Sequence, residues 1–486
     1  ARAEPLPCGA KPWWRMLRAR GGAAKRPAPF RSPFQSHVTE SGSKYQLHRV
    51  LGIRDGMAVT VGIVIGAGIL RTPGIIAGHL GNPWVILAAW FFGGVVVALS
   101  TLVLAEMAAA LPEAGGKYVY ARHAWGDTMG FLAGWSELLV SRGFSGAAKA
   151  VAIAEYIRIL TGDRGSIRLF ALAVCVAFFF LHTRGLEAST KFQNVTTAIK
   201  VLVVIAIAGA GLWAGDFVGF QPSVTSASGP TAGLLGFALA YQSISFAYYG
   251  WEDAAKMAAE VKNPGSALPK ILVGGSLAVM VLYLLMNVAF LSALTPEEMA
   301  GSDLVARDAI AAVFGGTAGT VVVVASLLIL VSSLNVNFLG LPRVAYGLSQ
   351  HGLAPEAFSK VDARGTPRNA LYFISLWIAL LALSGAFELL IRFMMTVAIT
   401  VDTMVLMGYF KLRRSQPDLE RPFTMPGHPL LPAITIALYI GILVILIWTQ
   451  WQLALGAGAM IGTILLAGWI TTRRATGAAA DTTHGR

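Results

Sequence analysis

Between Leu51 and Ile470 the chain is an almost unbroken succession of charge-poor apolar runs, many of them reaching the ~18 residues that a bilayer-spanning helix needs. No stretch between them could form a separate soluble domain. Of the 486 residues, 55% are hydrophobic and only 13% charged, and the mean hydropathy is +0.64. For a chain of this size the solvent is therefore lipid rather than water. The runs place helices near 53–79, 83–111, 126–160, 167–184, 191–214, 231–261, 269–294, 306–345, 368–384, 387–411, 429–449 and 452–472. The expected fold class is an all-α integral membrane protein of about twelve transmembrane helices.

The formal net charge of +13 does not point to nucleic acid, because the bases lie in the N-terminal tail and in short loops rather than on one soluble face. Residues 1–48 read as a disordered basic tail without the apolar core of a signal peptide. Lys117 and Arg122, Arg184 and Lys191, Lys256, Lys262 and Lys270, Lys360 and Arg364, and Lys411 to Arg421 fall in alternate loops. The intervening loops are short or acidic (Asp216, Glu297, Glu298, Asp303), with Arg164, Arg168 and Arg307 as the exceptions. By the positive-inside rule both termini are expected in the cytoplasm of a plasma membrane, with a bacterial inner membrane as the setting. Residues 474–486 would form a short second tail.

Two of the helices are interrupted. The first contains GIVIGAGILRTPG, with Gly62, Gly66, Gly68, Pro73 and Gly74 inside an apolar span. The sixth contains FAYYGWED, where Gly250 stands beside aromatic and acidic residues at membrane depth. Glycines in membrane helices also serve close packing, and a single pair would carry little. Two breaks five helices apart fit two inverted five-helix repeats, residues 49–215 and 216–412, with 413–473 outside the repeat. A helix N-terminus at mid-membrane presents unpaired N–H groups to a carboxylate, and unwound carbonyls accept from an ammonium group. A zwitterionic amino acid satisfies both.

Several charges lie within the spans. Lys200 has no acidic neighbour within a helical turn, and snorkelling or a functional role would each account for it. Helix 3 holds Glu137, Arg142, Lys149 and Glu155 and helix 10 holds Arg392 and Asp402, some of which should face the bundle interior; Arg142 and Asp402 are candidates to pair across a pathway or to fix helix register. Glu252 and Asp253 could meet a cationic substrate, neutralise Lys256 or line a wet cavity. A membrane enzyme would need a constellation such as HExxH or Gly-x-Ser-x-Gly; neither occurs, the histidines have no metal-ligand spacing, and no cofactor is implied. The two cysteines, Cys8 and Cys175, lie in segments unlikely to meet.

Taken together, GAGILRTPG, EMAAALPEAGGKYVYAR, FLAGWSELLV, KFQNVTTAIKVL, AYYGWEDAAKMAAEVKNPGSALPKIL, RGTPRNAL and RPFTMPGHPLLP resemble, in order, the amino acid-polyamine-organocation permeases, in particular their L-type and bacterial amino-acid permease branch. The likeness covers about 48 to 430. It departs from the branch at Ala67, Met107, Ala114, Tyr249 and Glu252.

The resemblance implies a LeuT-type 5+5 inverted repeat with broken helices 1 and 6, working by alternating access as a secondary amino-acid transporter. By the same token the amides of Gly66, Ala67 and Gly68 would hold the substrate carboxylate, with Ile69 behind them. Carbonyls of Val64, Ile65 and Phe246 would hold the amino group, and the Phe246 ring would close over it. Tyr249, Gly250 and Trp251 would shape the side-chain pocket. A fifth-helix lysine in this family is thought to stand where sodium sits in sodium-coupled relatives, so Lys200 would bridge helix 1 near Gly66 to Ser332 or Ser333. Sodium independence follows, with proton coupling and exchange both open. An amino-acid sensor or a polyamine transporter on the same fold is the alternative. Animal L-type transporters use a disulfide-linked partner, which needs a cysteine after helix 3; TGDRGS has none, so no such heavy chain is expected.

Overall fold

The computed structural model describes residues 51–113, 115–162, 164–183, 186–221, 233–256, 258, 261–362 and 367–484. The expected tail, 1–48, lies outside them. Among the described residues everything regular is helical, and the sole strand-like pairing is an isolated bridge between Leu51 and Val261. Chain order gives α1 (Ile53–Val64), α2 (Ala67–Leu80), α3 (Pro83–Ala110), α4 (Lys117–Trp125), α5 (Asp127–Trp135), α6 (Gly143–Leu160), α7 (Ile167–Thr183) and α8 (Leu186–Ala214). The second half comprises α9 (Leu234–Tyr248), α10 (Asp253–Lys256), α11 (Pro264–Ala293), α12 (Pro296–Ala300), α13 (Val305–Phe314), α14 (Gly316–Gln350), α15 (Arg368–Ala382), α16 (Phe387–Ser415), α17 (Leu430–Thr449) and α18 (Trp451–His484).

Six of these are long and apolar enough to cross a membrane: α3, α11, α14, α16, α17 and the first 23 residues of α18. A seventh span is the pair α1 and α2, bent by 47° at its break. α7, α9, α15 and Ile199–Ala214 are shorter apolar helices. Large apolar side chains also cover the outside of the bundle, with Trp84 67%, Trp213 84%, Leu376 61% and Trp448 75% exposed. In water such a surface would be a liability; against lipid it is the expected face.

Local chemistry sets the ends. Asn82 caps α3, its side chain accepting from the N–H groups of Trp84 and Val85, and Pro83 takes the first helical position where no N–H is needed. Thr295 and Glu298 form a reciprocal capping box on α12. Two sequence expectations need correction. The helix expected at 306–345 is two, α13 and α14, because Gly315 turns the chain at φ 86. The segment read as a basic loop at Lys117 is itself a helix, α4, packed against α5 and α16. The last helix runs to His484, through the segment expected as a C-terminal tail.

The arrangement that positions the site is a central set. α2 packs along α9, α1 and α3 pack on α11, and α14 lies between α6 and α8.

Candidate functional site

The first break lies at Ile65 and Gly66. Ile65 is extended (φ −64, ψ 111), Gly66 lies at φ −167, ψ −146, and α2 restarts at Ala67. Close approach is what demands the small residues here. A Cβ on Gly66 would lie 2.6 Å from Ser333 Oγ, and one on Gly68 would lie 2.3 Å from Ala247 Cα, so α2 and α9 touch backbone to backbone. The first N–H groups of α2, from Ala67 onward, have no helical acceptor.

The second break follows Tyr248. Tyr249 is extended, and Gly250 sits at φ 112, a conformation that a side chain would strain; a Cβ there would also meet Ile63 Cγ2 at 3.2 Å. One side chain spans both breaks: the Tyr283 hydroxyl, from α11, lies 3.1 Å from Val64 O and 3.2 Å from Ala247 O.

Between the breaks is a small cavity of about 20 Å³, lined by Ile63, Val64, Gly66, Ala67, Gly68, Arg142, Ser145, Lys149, Phe246, Tyr249 and Ser333. That is space for about one water rather than an amino acid. Of the residues expected here, Val64, Gly66, Ala67, Gly68, Phe246 and Tyr249 line it. Ile65, Ile69 and Trp251 are buried behind it, at 0%, 0% and 5% exposure. The Phe246 ring packs edge-on to Phe387, 5.8 Å away. Ser333 faces Gly66, whereas Ser332 accepts from the Thr196 hydroxyl at 2.8 Å. Lys200 is 1% exposed, and its Nζ is in no hydrogen bond among the described residues, so the bridge to Gly66 and Ser332 or Ser333 is not made in this conformation.

Beyond the cavity, on the α10 side, is a belt of buried charge. Lys117 Nζ lies 2.6 Å from Asp402 Oδ1, 2.7 Å from Glu252 Oε1 and 3.2 Å from the Tyr249 hydroxyl. Arg142 donates from Nε to Glu137 at 2.9 Å and from Nη2 to Asp253, and Lys256 joins Glu137 and Asp253. Arg142 and Asp402 therefore do not pair with each other: each has a nearer partner supplied by the second break or by α4. The Glu137, Glu252 and Asp253 carboxylates come within 4.8 Å of one another, but amino-acid bases already sit among them.

The geometry of Arg142 has a local cause. Ser136–Arg142, between α5 and α6, winds as a π turn. Residues five apart diverge on an α-helix but stack in an i→i+5 turn, which brings Glu137 and Arg142 together. The loosened carbonyls are used: Leu139 O accepts from Trp377 Nε1 at 2.7 Å and Arg142 O from Asn337 Nδ2 at 2.8 Å. On the α2 side, Arg71 pairs with Glu155 at 3.1 Å and Asp303 at 3.0 Å.

Lys117, Ser145 and Tyr283 are the site residues that the sequence reading did not select, whereas Lys149 is one of the helix 3 charges expected to face the bundle interior. Ser145 and Tyr283 carried no local signal, and Lys117 has the composition of a loop base.

Residues 51–470 match a family described as "Amino acid permease". The chain is also similar to the serine/threonine exchanger SteT of Bacillus subtilis, 26% identical over 82% of this chain and 91% of that protein. It is 26% identical to the b(0,+)-type amino acid transporter 1 of Mus musculus, over 86% of each chain, and 26% identical to the human Asc-type amino acid transporter 1, over 83% of this chain and 78% of that one.

Proposed function

The chain belongs to the amino acid permease family, a family of multi-pass membrane transporters and not of enzymes, and from that premise we propose that it is a secondary transporter moving amino acids by alternating access. The observation that carries the reading is the meeting of two helix breaks at one small cavity, one offering a free helix N-terminus and the other unwound carbonyls. The amides of Gly66, Ala67 and Gly68 take the substrate carboxylate, with Ile69 behind, and carbonyls of Val64, Ile65 and Phe246 take the ammonium group. Phe246 is the lid, and Tyr249, Gly250 and Trp251 bound the side-chain pocket.

The finer architecture belongs to the same proposal. Twelve spans are arranged as two inverted five-helix repeats, 49–215 and 216–412, followed by two further spans within 413–473. Both termini are cytoplasmic in a plasma membrane of bacterial inner-membrane type, in keeping with the bases at the chain ends and in alternate loops. Lys200 stands in for sodium: a buried ammonium repels a cation from the space beside α14. Transport is then sodium-independent. Exchange is the favoured coupling, because the Bacillus subtilis relative is named an exchanger, and proton symport is the other route. No disulfide-linked partner is needed, since the one described cysteine, Cys175, is 2% exposed within α7.

The test is uptake of radiolabelled neutral, cationic and acidic amino acids into proteoliposomes, with and without Na⁺, a proton gradient or internal amino acid, beside Lys200→Ala. Sodium-independent uptake impaired by the substitution is expected. Strict sodium dependence would remove the role given to Lys200, and no uptake under any gradient would overturn the transport reading.

A further inference from the structure

Away from the cavity, α16 and α18 pack on each other, and each carries an exposed stripe along its last turns. On α16 the stripe is Met407, Lys411 and Arg414, and on α18 it is Leu466, Ile470 and Arg473. Both have the i, i+4, i+7 spacing that keeps side chains on one helix face. Each stripe therefore passes from an apolar side chain to bases at the helix end.

Contacts along the two helices put the stripes in register. Gly456 packs against Phe393: a Cβ there would lie 3.3 Å from Phe393 Cε2. Further along, Lys411 Nζ stands 4.2 Å from the centre of the Trp125 ring at the end of α4, and the Thr128 and Thr472 hydroxyls, at the start of α5 and on α18, are 3.2 Å apart. The helices thus run the same way. Lys411 lies eighteen residues beyond Phe393 and Arg473 seventeen beyond Gly456, so the two bases come level to within one residue, about 1.5 Å of rise. Arg473 Cζ in turn lies 4.0 Å from the Trp469 ring. Stacking engages one face of each cation and leaves N–H groups for a further acceptor.

The nearby acids are engaged elsewhere. Asp127 pairs with Arg122 at 2.6 Å, and Glu106 with Arg413 at 2.8 Å and Arg421 at 3.6 Å. Among the described residues no carboxylate, Asp418 and Glu420 in the following loop included, is within ion-pair distance of Lys411 or Arg414. We infer that this face binds an anionic phospholipid: Lys411, Arg414 and Arg473 hold the phosphate, and an acyl chain lies along Met407, Leu466 and Ile470. Bases between membrane helices, with tryptophans at the same depth, are the chemistry that recognises such headgroups. A free phosphate satisfies the bases but not the apolar part of the stripes, and a zwitterionic headgroup brings a cation of its own. The lipid ties α18 to α16. On the topology proposed above it belongs to the cytoplasmic leaflet; the site itself does not depend on what is transported.

The experiment is native mass spectrometry of the full chain released from detergent micelles that contain phosphatidylglycerol and phosphatidylcholine, with the same acyl chains, in equal amounts. The protein should retain phosphatidylglycerol over phosphatidylcholine by about ten- to a hundredfold, each base near the headgroup being worth about fivefold. Lys411→Gln, Arg414→Gln and Arg473→Gln together should bring the ratio to within about twofold of unity. Lys262→Gln with Lys270→Gln, which removes two exposed bases elsewhere, should leave it unchanged. Arg414→Gln alone breaks no ion pair or ring contact among the described residues, should lower the ratio about fivefold, and decides the matter if the triple variant does not fold. Equal retention of the two lipids, or a fall in the Lys262 and Lys270 variant as large as in the triple one, would overturn the inference, because the charge would then act diffusely. Complete displacement of phosphatidylglycerol by inorganic phosphate would overturn it too, because the apolar stripe would then contribute nothing.

Discussion

The two helix breaks meet at one cavity but are built from different materials. The first, at Ile65 and Gly66, is made of apolar and small residues, and it is held by backbone contact: α2 lies so close to α9 that Gly68 has no room for a Cβ. What it offers a ligand is main-chain N–H groups, which belong to no particular side chain. The second, from Tyr249 to Glu252, opens into the buried belt of Lys117, Glu137, Arg142, Glu252, Asp253, Lys256 and Asp402. The contrast separates two tasks. On the proposed transport reading, the first break would hold what every amino acid shares, and the second would couple the site to charges that exchange partners when the barrier on that side opens. Buried ion pairs are poor sources of stability compared with apolar packing, so a belt of this size fits a structure that must come apart and re-form.

The largest test of this contrast falls on the second break. Lys117→Met leaves the Glu252 and Asp402 carboxylates buried without their shared base, and a loss of about 3–5 kcal/mol is expected, read as a fall in melting temperature and yield of folded protein. Adding Glu252→Gln and Asp402→Asn to it should recover much of that loss. An unchanged melting temperature in the single variant would show that the belt does not hold the fold. At the first break, Gly68→Leu should cost about 1–3 kcal/mol by overpacking α2 against α9 and should abolish uptake in protein that still folds. Gly250→Ala is expected to cost about 1–2 kcal/mol through its positive φ, measured in the same melting assay. If it cost more than Gly68→Leu, the claim that close packing governs the first break more than the second would fail. The smallest effect is expected of Tyr283→Phe, about 0.5–1.5 kcal/mol in stability, with a lower KM because Val64 O is released to the substrate ammonium group. A raised KM would mean instead that the hydroxyl positions the substrate.

Both breaks were legible in the sequence because glycine inside an apolar run, or an acid at membrane depth, is a local signal. GIVIGAGILRTPG offered Gly62, Gly66, Gly68, Pro73 and Gly74, and FAYYGWED offered Gly250; the backbone leaves the helix at Ile65 and Gly66 and at Tyr249 and Gly250, while Gly62, Gly68, Pro73 and Gly74 stay helical. Helix ends next to Pro83, Arg368 and Phe387 were legible for the same reason. Lys117 was not: in EAGGKYVY it has the composition of a basic loop, and only the packing of α4 against α16 carries it to Asp402. Arg142 was recognised as a bundle-facing base but assigned to Asp402. An α-helical phase hides Glu137 from it, and only the π turn brings the two together. Gly315 was missed because an apolar run on both sides of it reads as one helix.

That π turn also has an evolutionary consequence. Seven residues, Ser136–Arg142, hold one residue more than a continuous α-helix from Asp127 to Leu160 would accommodate. Deleting one of them would let Asp127 to Leu160 close into a continuous α-helix, with α5 and α6 keeping their relative register. A descendant of this gene could thus lose the loosened carbonyls that receive Trp377 and Asn337 while Ser145 and Lys149 kept their places. In an alignment, that event would appear as nothing more than a one-residue gap after Trp135.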